Sequence, residues 1–239
     1  PALAGPHQYL EPQIRWRIIE IVFWLSTLLP FVVTPDYLVL ASQIAITALF
    51  ALSLDLILGY AGIVSLGHAA FFGFGAYTAG LISKWGWGEP LTGLLMAGVA
   101  AGLLGYLMSF IISRFRHLAL IMITLGFGLL LLEAANSASG LTGGADGLQG
   151  VKTWPLFGVF KFDLYGRTAY AYSLAVLFLV FLGARRLINS PFGLALRGIR
   201  ENWLRMPAIG ADSRAHIRKA YTIAAAMAGI AGAVIAQTT

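Results

Sequence analysis

The sequence predicts an all-α fold, a polytopic bundle of about seven membrane-spanning helices. Three observations support this prediction: 59% of the 239 residues are hydrophobic, only 11% are charged, and the mean hydropathy is +0.81. A soluble domain usually carries about a quarter charged residues, because its surface faces water. This chain has too few charged side chains to cover such a surface, so we expect much of its exterior to contact membrane lipid.

Seven apolar runs approach the length of a span, for which about 20 mostly apolar residues are needed. In chain order the predicted helices are 18–33, 37–58, 68–83, 91–113, 118–138, 169–182 and 220–239. Charged residues, glycine or proline bound these runs, and the third run is short and rich in glycine. The last run ends at Thr239 without a flanking loop or charge. We therefore expect the sequence to be a fragment of a longer chain.

The basic residues predict the orientation of the bundle, because Lys and Arg concentrate in cytoplasmic loops. If residues 1–17 form a cytoplasmic N-terminal segment and residues 18–239 the transmembrane domain, 12 of the 16 Lys and Arg lie inside. The same bias accounts for the net charge of +6, so no nucleic-acid partner is expected. The inside set comprises Arg15, Arg17, Arg114, Arg116, Arg185, Arg186, Arg197, Arg200, Arg205, Arg214, Arg218 and Lys219.

A glycine-rich motif joins the second and third predicted spans, with the sequence Gly-Tyr-Ala-Gly-Ile-Val-Ser-Leu-Gly-His over residues 59–68. Broken helices within a membrane occur only where protein or a water-filled cavity receives the freed backbone groups, and transporters build binding sites in this way. The motif predicts an interrupted helix beside a translocation path. The alternative is a tight interfacial turn followed by a glycine-faced helix. The candidate path residues are Asp55, Gly59, Tyr60, Gly62, Ser65, Gly67 and His68.

Two carboxylates, Asp55 and Glu133, fall inside apolar runs. Acidic residues within a membrane are costly and usually functional, so both are candidates for a proton-coupled secondary transporter. Both also lie near a helix end, where a partner or water can satisfy them. A structural role is therefore the alternative.

The outer loop, residues 139–168, is longer than a plain connector, and loops beyond about 12–15 residues are usually functional or disordered. Four glycines surround Asp146, but the loop has neither the ligand spacing of an EF-hand nor the lysine of a P-loop. It predicts contact with an external partner or substrate, with a simple external turn as the alternative. The candidate contact residues are Thr142, Gly143, Gly144, Asp146 and Gly147.

The inner connection, residues 189–219, mixes arginines with large apolar side chains. The charge alone would fit a solvated loop, but the apolar residues favour a short amphipathic helix docked into a groove of another protein. Met206-Pro207 predicts that this helix is short or begins at Pro207, since proline inside a helix removes a hydrogen bond. The candidate docking residues are Phe192, Arg197, Arg200, Glu201, Trp203, Ile209 and Gly210.

Enzyme chemistry has little support in the sequence. It contains no cysteine, its four histidines are scattered, and no Walker A, Gly-x-Ser-x-Gly or HExxH motif is present. We therefore predict no catalytic residue, no metal site and no cofactor. If transport is driven by ATP, the ATPase must be a separate chain.

Four motifs, in order along the chain, resemble those of LivM-type permeases, the membrane subunits of bacterial branched-chain amino-acid ABC importers. The resemblance covers the chain from about Leu52 onwards and rests on residues 52–73, 142–148, 190–201 and 208–210. It implies a multi-pass protein of the bacterial inner membrane, surrounded by lipid. It also implies three kinds of partner: a homologous LivH-type permease subunit, two ATPase subunits and a periplasmic substrate-binding protein.

The resemblance implies a role for each motif. Residues 189–219 would be the coupling region on the ATPase, and the outer loop would face the binding protein. Branched-chain amino acids would pass between the paired permeases near residues 59–68. Aspartate at position 55 is shared with related urea and short-chain amide permeases, so an importer of that kind is the alternative, and a structural membrane protein is the least specific one.

Overall fold

The computed structural model describes residues 17–115, 117–156 and 166–238. Most of the described residues are helical, which confirms the all-α prediction. Several predicted features lie outside the described residues: the N-terminal segment up to residue 16, Arg116, residues 157–165 of the outer loop, and Thr239.

The helices, numbered along the described chain, follow the order of the predicted spans. They are α1 (Ile18–Ser26), α2 (Pro30–Val33), α3 (Leu38–Asp55), α4 (Ala69–Lys84), α5 (Pro90–Ile112), α6 (His117–Ser137), α7 (Ser139–Thr142), α8 (Arg167–Ile188), α9 (Pro191–Glu201), α10 (Arg205–Ala208) and α11 (Ser213–Thr238).

Five helical stretches are long and apolar enough to cross a membrane: Pro35–Tyr60, Pro90–Ile112, Leu118–Ser137, Arg167–Ile188 and Ser213–Thr238. The first predicted span, Ile18–Val33, is shorter and divides into α1 and α2. The third predicted span is the 16-residue α4, which is shorter than a full span. The chain is a multi-pass membrane protein, and five of its seven predicted spans have the length of a full crossing among the described residues.

Helix α11 forms the centre of the bundle and packs against α3, α4 and α5. Its contact surface consists largely of alanine and glycine, of which Ala224, Ala228 and Ala231 are fully buried. Small residues allow the backbones of membrane helices to approach closely, which is how such helices gain packing energy in lipid. The bundle is therefore organised around a helix that carries few large side chains.

Helix α1 is attached to α8 by one ion pair and one aromatic cluster. The guanidinium of Arg185 donates to Oε2 of Glu20 at 2.6 Å. Beside this pair, the Trp24 ring packs against Phe178 and Phe181, with ring centroids 4.8 and 5.2 Å apart. These contacts hold an otherwise exposed helix on the outside of the bundle.

Two helices extend beyond their predicted ends, both toward the basic inner connection, residues 189–219, which is called the inner region below. Helix α8 continues to Ile188 instead of 182, and α11 begins at Ser213 instead of 220. The added turns carry charged residues such as Arg185 and Arg214, which a search for apolar runs ignores. The last part of the predicted 189–219 connection is thus the start of α11.

Candidate functional site

The glycine-rich motif forms an interrupted helix. Helix α3 ends in a π-helical turn over Leu56–Tyr60, and the chain then runs without helical structure until α4 begins at Ala69. The amide of Ile63 donates to the carbonyl of Ile57 at 2.9 Å and closes this turn. Gly62 has a φ of +69°, a left-handed conformation that glycine adopts without steric cost.

The interrupted segment, residues 59–68, then returns into the bundle. The amide of Leu66 donates to Oγ1 of Thr124 at 3.2 Å, and Gly67 packs so closely on α6 that a Cβ atom there would overlap the carbonyl of Thr124. Thr124 lies about 10 Å along α6 from its first residue, at 1.5 Å per residue. The segment therefore interrupts the helical path between α3 and α4 and packs on α6, with Val64 and Leu66 exposed.

Polar groups of the interrupted segment lie buried where α4 begins. Nε2 of His68 lies 3.0 Å from the hydroxyl of Ser53, which donates its own hydrogen to the carbonyl of Phe50 at 2.6 Å. Because a serine hydroxyl has one hydrogen, this network assigns the imidazole proton to Nε2 and leaves Nδ1 as an acceptor. Among the described residues, the buried Nδ1 of His68 and the buried hydroxyls of Ser65 and Tyr221 make no hydrogen bond of standard geometry.

The remaining candidate path residues lie at the end of α3. Asp55 is exposed, and its carboxylate lies against Gly59, where a Cβ atom would overlap it. Tyr60 is half-buried beneath the guanidinium of Arg197. The second carboxylate, Glu133, is exposed near the other end of α6 and accepts a hydrogen bond from Ser137 at 3.3 Å. The two carboxylates lie on different helices and toward opposite ends of the bundle, so they do not form one site.

The inner connection contains the predicted amphipathic helix, α9. Proline starts this helix at Pro191, and Gly193 packs against the carbonyl of Ile188 so closely that only glycine fits. The helix ends at Glu201, and Pro207 lies inside the separate short helix α10. Of the two alternatives that Met206-Pro207 predicts, the structure has a helix that ends before the proline rather than one that begins at Pro207.

The apolar side chains of this region are mostly covered by the chain itself. Leu196 and Ile199 are buried, and Phe192 stacks on His216 with ring centroids 5.6 Å apart. Trp203 packs against the same core. The expectation that all these apolar groups are available to another protein is therefore too broad.

Two apolar side chains of the inner region do project outward. Leu204 is 83% exposed and Ile209 is 69% exposed. Sequence reasoning missed Leu204, although a second large apolar residue directly after Trp203 and before Arg205 was a usable signal. Of the other candidates, Glu201 and Gly210 are exposed, and Gly210 has a φ of +89°.

The candidate path and the inner region meet directly. The guanidinium of Arg200 donates to the carbonyl of Gly59, and the guanidinium carbon of Arg197 lies 5.3 Å from the centre of the Tyr60 ring. Between the two regions lies a cavity of about 520 Å³. It is lined by residues 61–64 of the interrupted segment, residues 199–204 of the inner region, and residues of α5, α6 and α11 with their flanks.

Asp212 directly precedes α11, at the edge of the inner region. Its Oδ1 accepts hydrogen bonds from the amides of Ala215 and Arg214, at 3.2 and 2.9 Å. The bond from Ala215 is the largest effect on the carboxyl, and together with the other bond and the charge of Arg218 it holds the pKa of Asp212 below its ordinary value of 3.8. Asp212 is thus an ionised N-cap for the central helix.

The described part of the outer loop folds into a compact turn at the far end of α6. The Thr142 hydroxyl contacts the carbonyls of Ala135 and Ala138 at 2.5 and 2.9 Å, and the amide of Gly144 donates to that hydroxyl at 3.3 Å. A 3-10 turn over Gly144–Asp146 follows, and Gly143 and Gly147 on either side of it have positive φ. Asp146 is exposed at the tip of this turn.

The structure thus brings two of the three predicted sets together. The path residues near Gly59 contact α9, whereas the outer loop lies at the opposite end of α6. Near the outer loop, Trp87 and Trp154 pack with ring centroids 6.1 Å apart, and the amide of Trp154 donates to the carbonyl of Gly88 at 2.8 Å. Exposed tryptophans are typical of a membrane–water boundary.

Comparison with known proteins gives a consistent set of matches. The family model described as branched-chain amino acid transport system permease component matches residues 37–239. The chain is 28% identical to the high-affinity branched-chain amino acid transport system permease protein LivM of Escherichia coli strain K12, over 98% of this chain and 61% of that protein. The corresponding LivM protein of Salmonella typhimurium is 27% identical over the same shares.

A more distant relative is the probable branched-chain amino acid transport permease protein LivM of Methanocaldococcus jannaschii. It is 26% identical over 79% of this chain and 64% of its own length. The chain thus spans about three fifths of the bacterial relatives. No solved structure matches the chain.

Proposed function

The chain belongs to the family of branched-chain amino acid transport permeases, and on that premise we propose that it is the membrane permease subunit of an ATP-binding-cassette importer. It would form, with a homologous permease subunit, the translocation path for branched-chain amino acids. ATP hydrolysis would take place on two separate ATPase subunits, and a periplasmic substrate-binding protein would deliver the substrate.

The observation that carries this proposal is the direct contact between α9 and the interrupted segment. An importer driven by separate ATPases needs a surface that receives force and a path-lining element that responds to it. Here the Arg200 guanidinium, on a helix of the inner region, donates to the Gly59 carbonyl at the break in α3. This contact gives the two predicted elements a physical connection.

The inner region also has the composition of a docking surface. Leu204 and Ile209 are exposed beside Arg205, and exposed apolar groups surrounded by charge mark protein-binding sites. The concentration of arginines favours a cytoplasmic location for this end of the bundle, and hence for the N-terminus. The outer loop, with Asp146 at its tip, would then face the binding protein.

Radiolabelled uptake tests the proposal. Deletion of the gene should abolish high-affinity uptake of leucine, isoleucine and valine, and re-expression should restore it. Unchanged uptake of all three would contradict the proposal. Competition with urea and short-chain amides tests the alternative substrate class, because an importer of that kind would be inhibited by amides and unaffected by leucine.

The docking surface has its own test. Leu204→Asp and Ile209→Asp place a carboxylate at an apolar contact, and truncating or charging a buried interface residue typically costs about 2 kcal/mol or more. Each variant should weaken ATPase co-purification at least about tenfold. The matched control is Leu141→Asp, which charges an exposed leucine at the opposite end of the bundle. Equal ATPase binding by all three variants would exclude this docking surface.

A further inference from the structure

We propose that Arg197 and Arg200 are positioning residues that attach α9 to the interrupted segment, so that a shift of α9 moves residues 59–65. The inference rests on the proposed function and deepens it. It assigns these arginines to transmission within the chain, rather than to direct contact with an ATPase.

Arg200 makes the first attachment. Its guanidinium donates to the carbonyl of Gly59, one of the last carbonyls of the π turn, where helix ends leave carbonyls without intrahelical partners. Its side chain also crosses Gly62, where a Cβ atom would lie 2.8 Å from the Arg200 Cγ. The left-handed glycine therefore provides both the turn and the room for the arginine.

Arg197 makes the second attachment, one turn earlier on the same face of α9. Its guanidinium carbon lies 5.3 Å from the centre of the Tyr60 ring, within the range of a cation–π contact. Residues three apart lie side by side on a helix, so the two arginines hold the neighbouring residues Gly59 and Tyr60. A two-point attachment restricts rotation as well as translation of the segment.

The rest of α9 is packed against the bundle core on one side and against α10 on the other. Leu196 and Ile199 are buried, and α10 packs on α9 so closely that a Cβ atom at Gly198 would lie 2.7 Å from the Met206 sulfur. Leu204, next to α10, is the most exposed apolar side chain of this region. A protein that pushes on this surface therefore displaces α9.

The far end of the interrupted segment is held by different groups. The amide of Leu66 donates to Thr124 on α6, and His68 contacts Ser53 on α3. A displacement of residues 59–62 is thus transmitted to the segment's contact with α6. Helix α6 has few contacts with the rest of the bundle. The segment connects the inner region to the helix that the bundle restrains least.

The test uses the complete importer, with its partner subunits, reconstituted in proteoliposomes. Arg200→Gln should lower amino-acid uptake per ATP hydrolysed about tenfold, the effect of losing one charge-assisted hydrogen bond. ATPase binding and hydrolysis should stay within about twofold, because Arg200 contacts the interrupted segment rather than an ATPase. Arg197→Gln should have a smaller effect of the same kind, and Arg200→Lys should recover part of the loss.

Arg214→Gln is the matched control, because Arg214 is an exposed arginine at the start of α11, beside the same region and outside the proposed docking surface. It should leave the ratio of uptake to hydrolysis unchanged. Parallel loss of uptake, hydrolysis and ATPase binding in Arg200→Gln would make the arginine a docking residue and overturn the proposal. An unchanged ratio in Arg200→Gln would overturn it as well.

A labelling experiment separates this inference from the proposed function. The chain has no cysteine, so Val64→Cys, at an exposed site on the interrupted segment, introduces a single thiol. Its maleimide labelling rate should change when vanadate traps the ATPases, and this change should disappear in the background of Arg200→Gln. An identical change in both backgrounds would overturn the attachment, whereas absent amino-acid uptake by the unmodified importer would contradict the proposed function instead.

Discussion

The helices α11 and α6 are both long enough to cross a membrane, yet the bundle uses them in opposite ways. In an 18-residue stretch of each, 67% of α11 is buried and 11% of α6 is buried. The more hydrophobic helix of the two is α6, the exposed one. Hydrophobicity alone therefore does not determine which helix lies in the centre.

The physical reason is that lipid tails are as apolar as leucine, so burial of a leucine from lipid yields little free energy. Close packing of backbones and internal hydrogen bonds decide instead. Helix α11 offers alanine and glycine along its contact faces, whereas α6 presents exposed leucines such as Leu129, Leu130 and Leu132. Under the importer proposal, membrane lipid or the second permease subunit would cover α6.

The largest effect should come from filling the contact between α11 and α4. A Cβ atom at Gly232 would overlap the carbonyl of Phe72, and a backbone cannot move aside as a side chain can. Gly232→Val should therefore lower the free energy of unfolding by about 3 kcal/mol, at the upper end of overpacking effects. Thermal unfolding of the detergent-purified protein, followed by size-exclusion chromatography, measures this loss.

The matched control for that change is Gly126→Val on α6, where no atom of the described residues lies within 4 Å of a Cβ atom. This variant should unfold at the temperature of the unmodified protein. Equal destabilisation by both substitutions would show that the difference in packing between α11 and α6 is not real.

The next effect concerns the buried hydrogen-bond network around Gln237 of α11. The Gln237 amide donates to the carbonyl of Pro90 at 2.9 Å, and its oxygen accepts from the Tyr172 hydroxyl at 2.9 Å. Gln237→Leu removes both bonds and should cost about 1–2 kcal/mol, because the buried Tyr172 hydroxyl and Pro90 carbonyl lose their shorter bonds and keep a longer contact of 3.5 Å with each other. Gln43→Leu, at an exposed glutamine of α3, should cost nothing in the same unfolding assay.

A smaller effect should appear in acid, at the start of α11. The folded state holds the pKa of Asp212 below 3.8, so it stabilises the fold fully above the ordinary carboxyl pKa. That contribution is lost as pH falls through the lowered folded-state pKa. Asp212→Asn keeps a hydrogen-bonding cap without this titration, so its melting temperature should vary less with pH below pH 4 than that of the unmodified protein. Identical pH profiles would contradict the assignment.

Composition and run length were sufficient to predict the fold class, because a chain with 11% charged residues cannot cover a water-exposed surface. They also gave the order of the helices. They could not give the true start of α11 at Ser213, because its first turns carry Arg214, Arg218 and Lys219 and do not resemble a span. Helix ends depend on caps such as Asp212, which hydropathy does not detect.

The candidate site was predictable in parts but not as a whole. The glycines at 59, 62 and 67 identified the interrupted helix, since this spacing suits broken backbone in a membrane. The contact between Gly59 and Arg200 joins residues 141 positions apart, and no local pattern indicates it. For the same reason, sequence reasoning named Arg197 and Arg200 as docking residues without predicting their contacts with Tyr60 and Gly59.

The smallest effect should come from the carboxylate on α6. Glu133 is exposed and contacts only the nearby Ser137 through a bond of 3.3 Å in the described structure, so no buried network depends on its charge. Under the importer proposal, Glu133→Gln should change leucine uptake by less than about twofold, since exposed interactions contribute little. A proton-coupled secondary transporter would instead need an intramembrane carboxylate, and uptake would collapse both in Glu133→Gln and with an uncoupler at constant ATP. Asp55→Asn neutralises the second exposed carboxylate. Retained uptake in both variants would exclude proton coupling through either residue. The exposed face of α6 would then serve contact rather than chemistry.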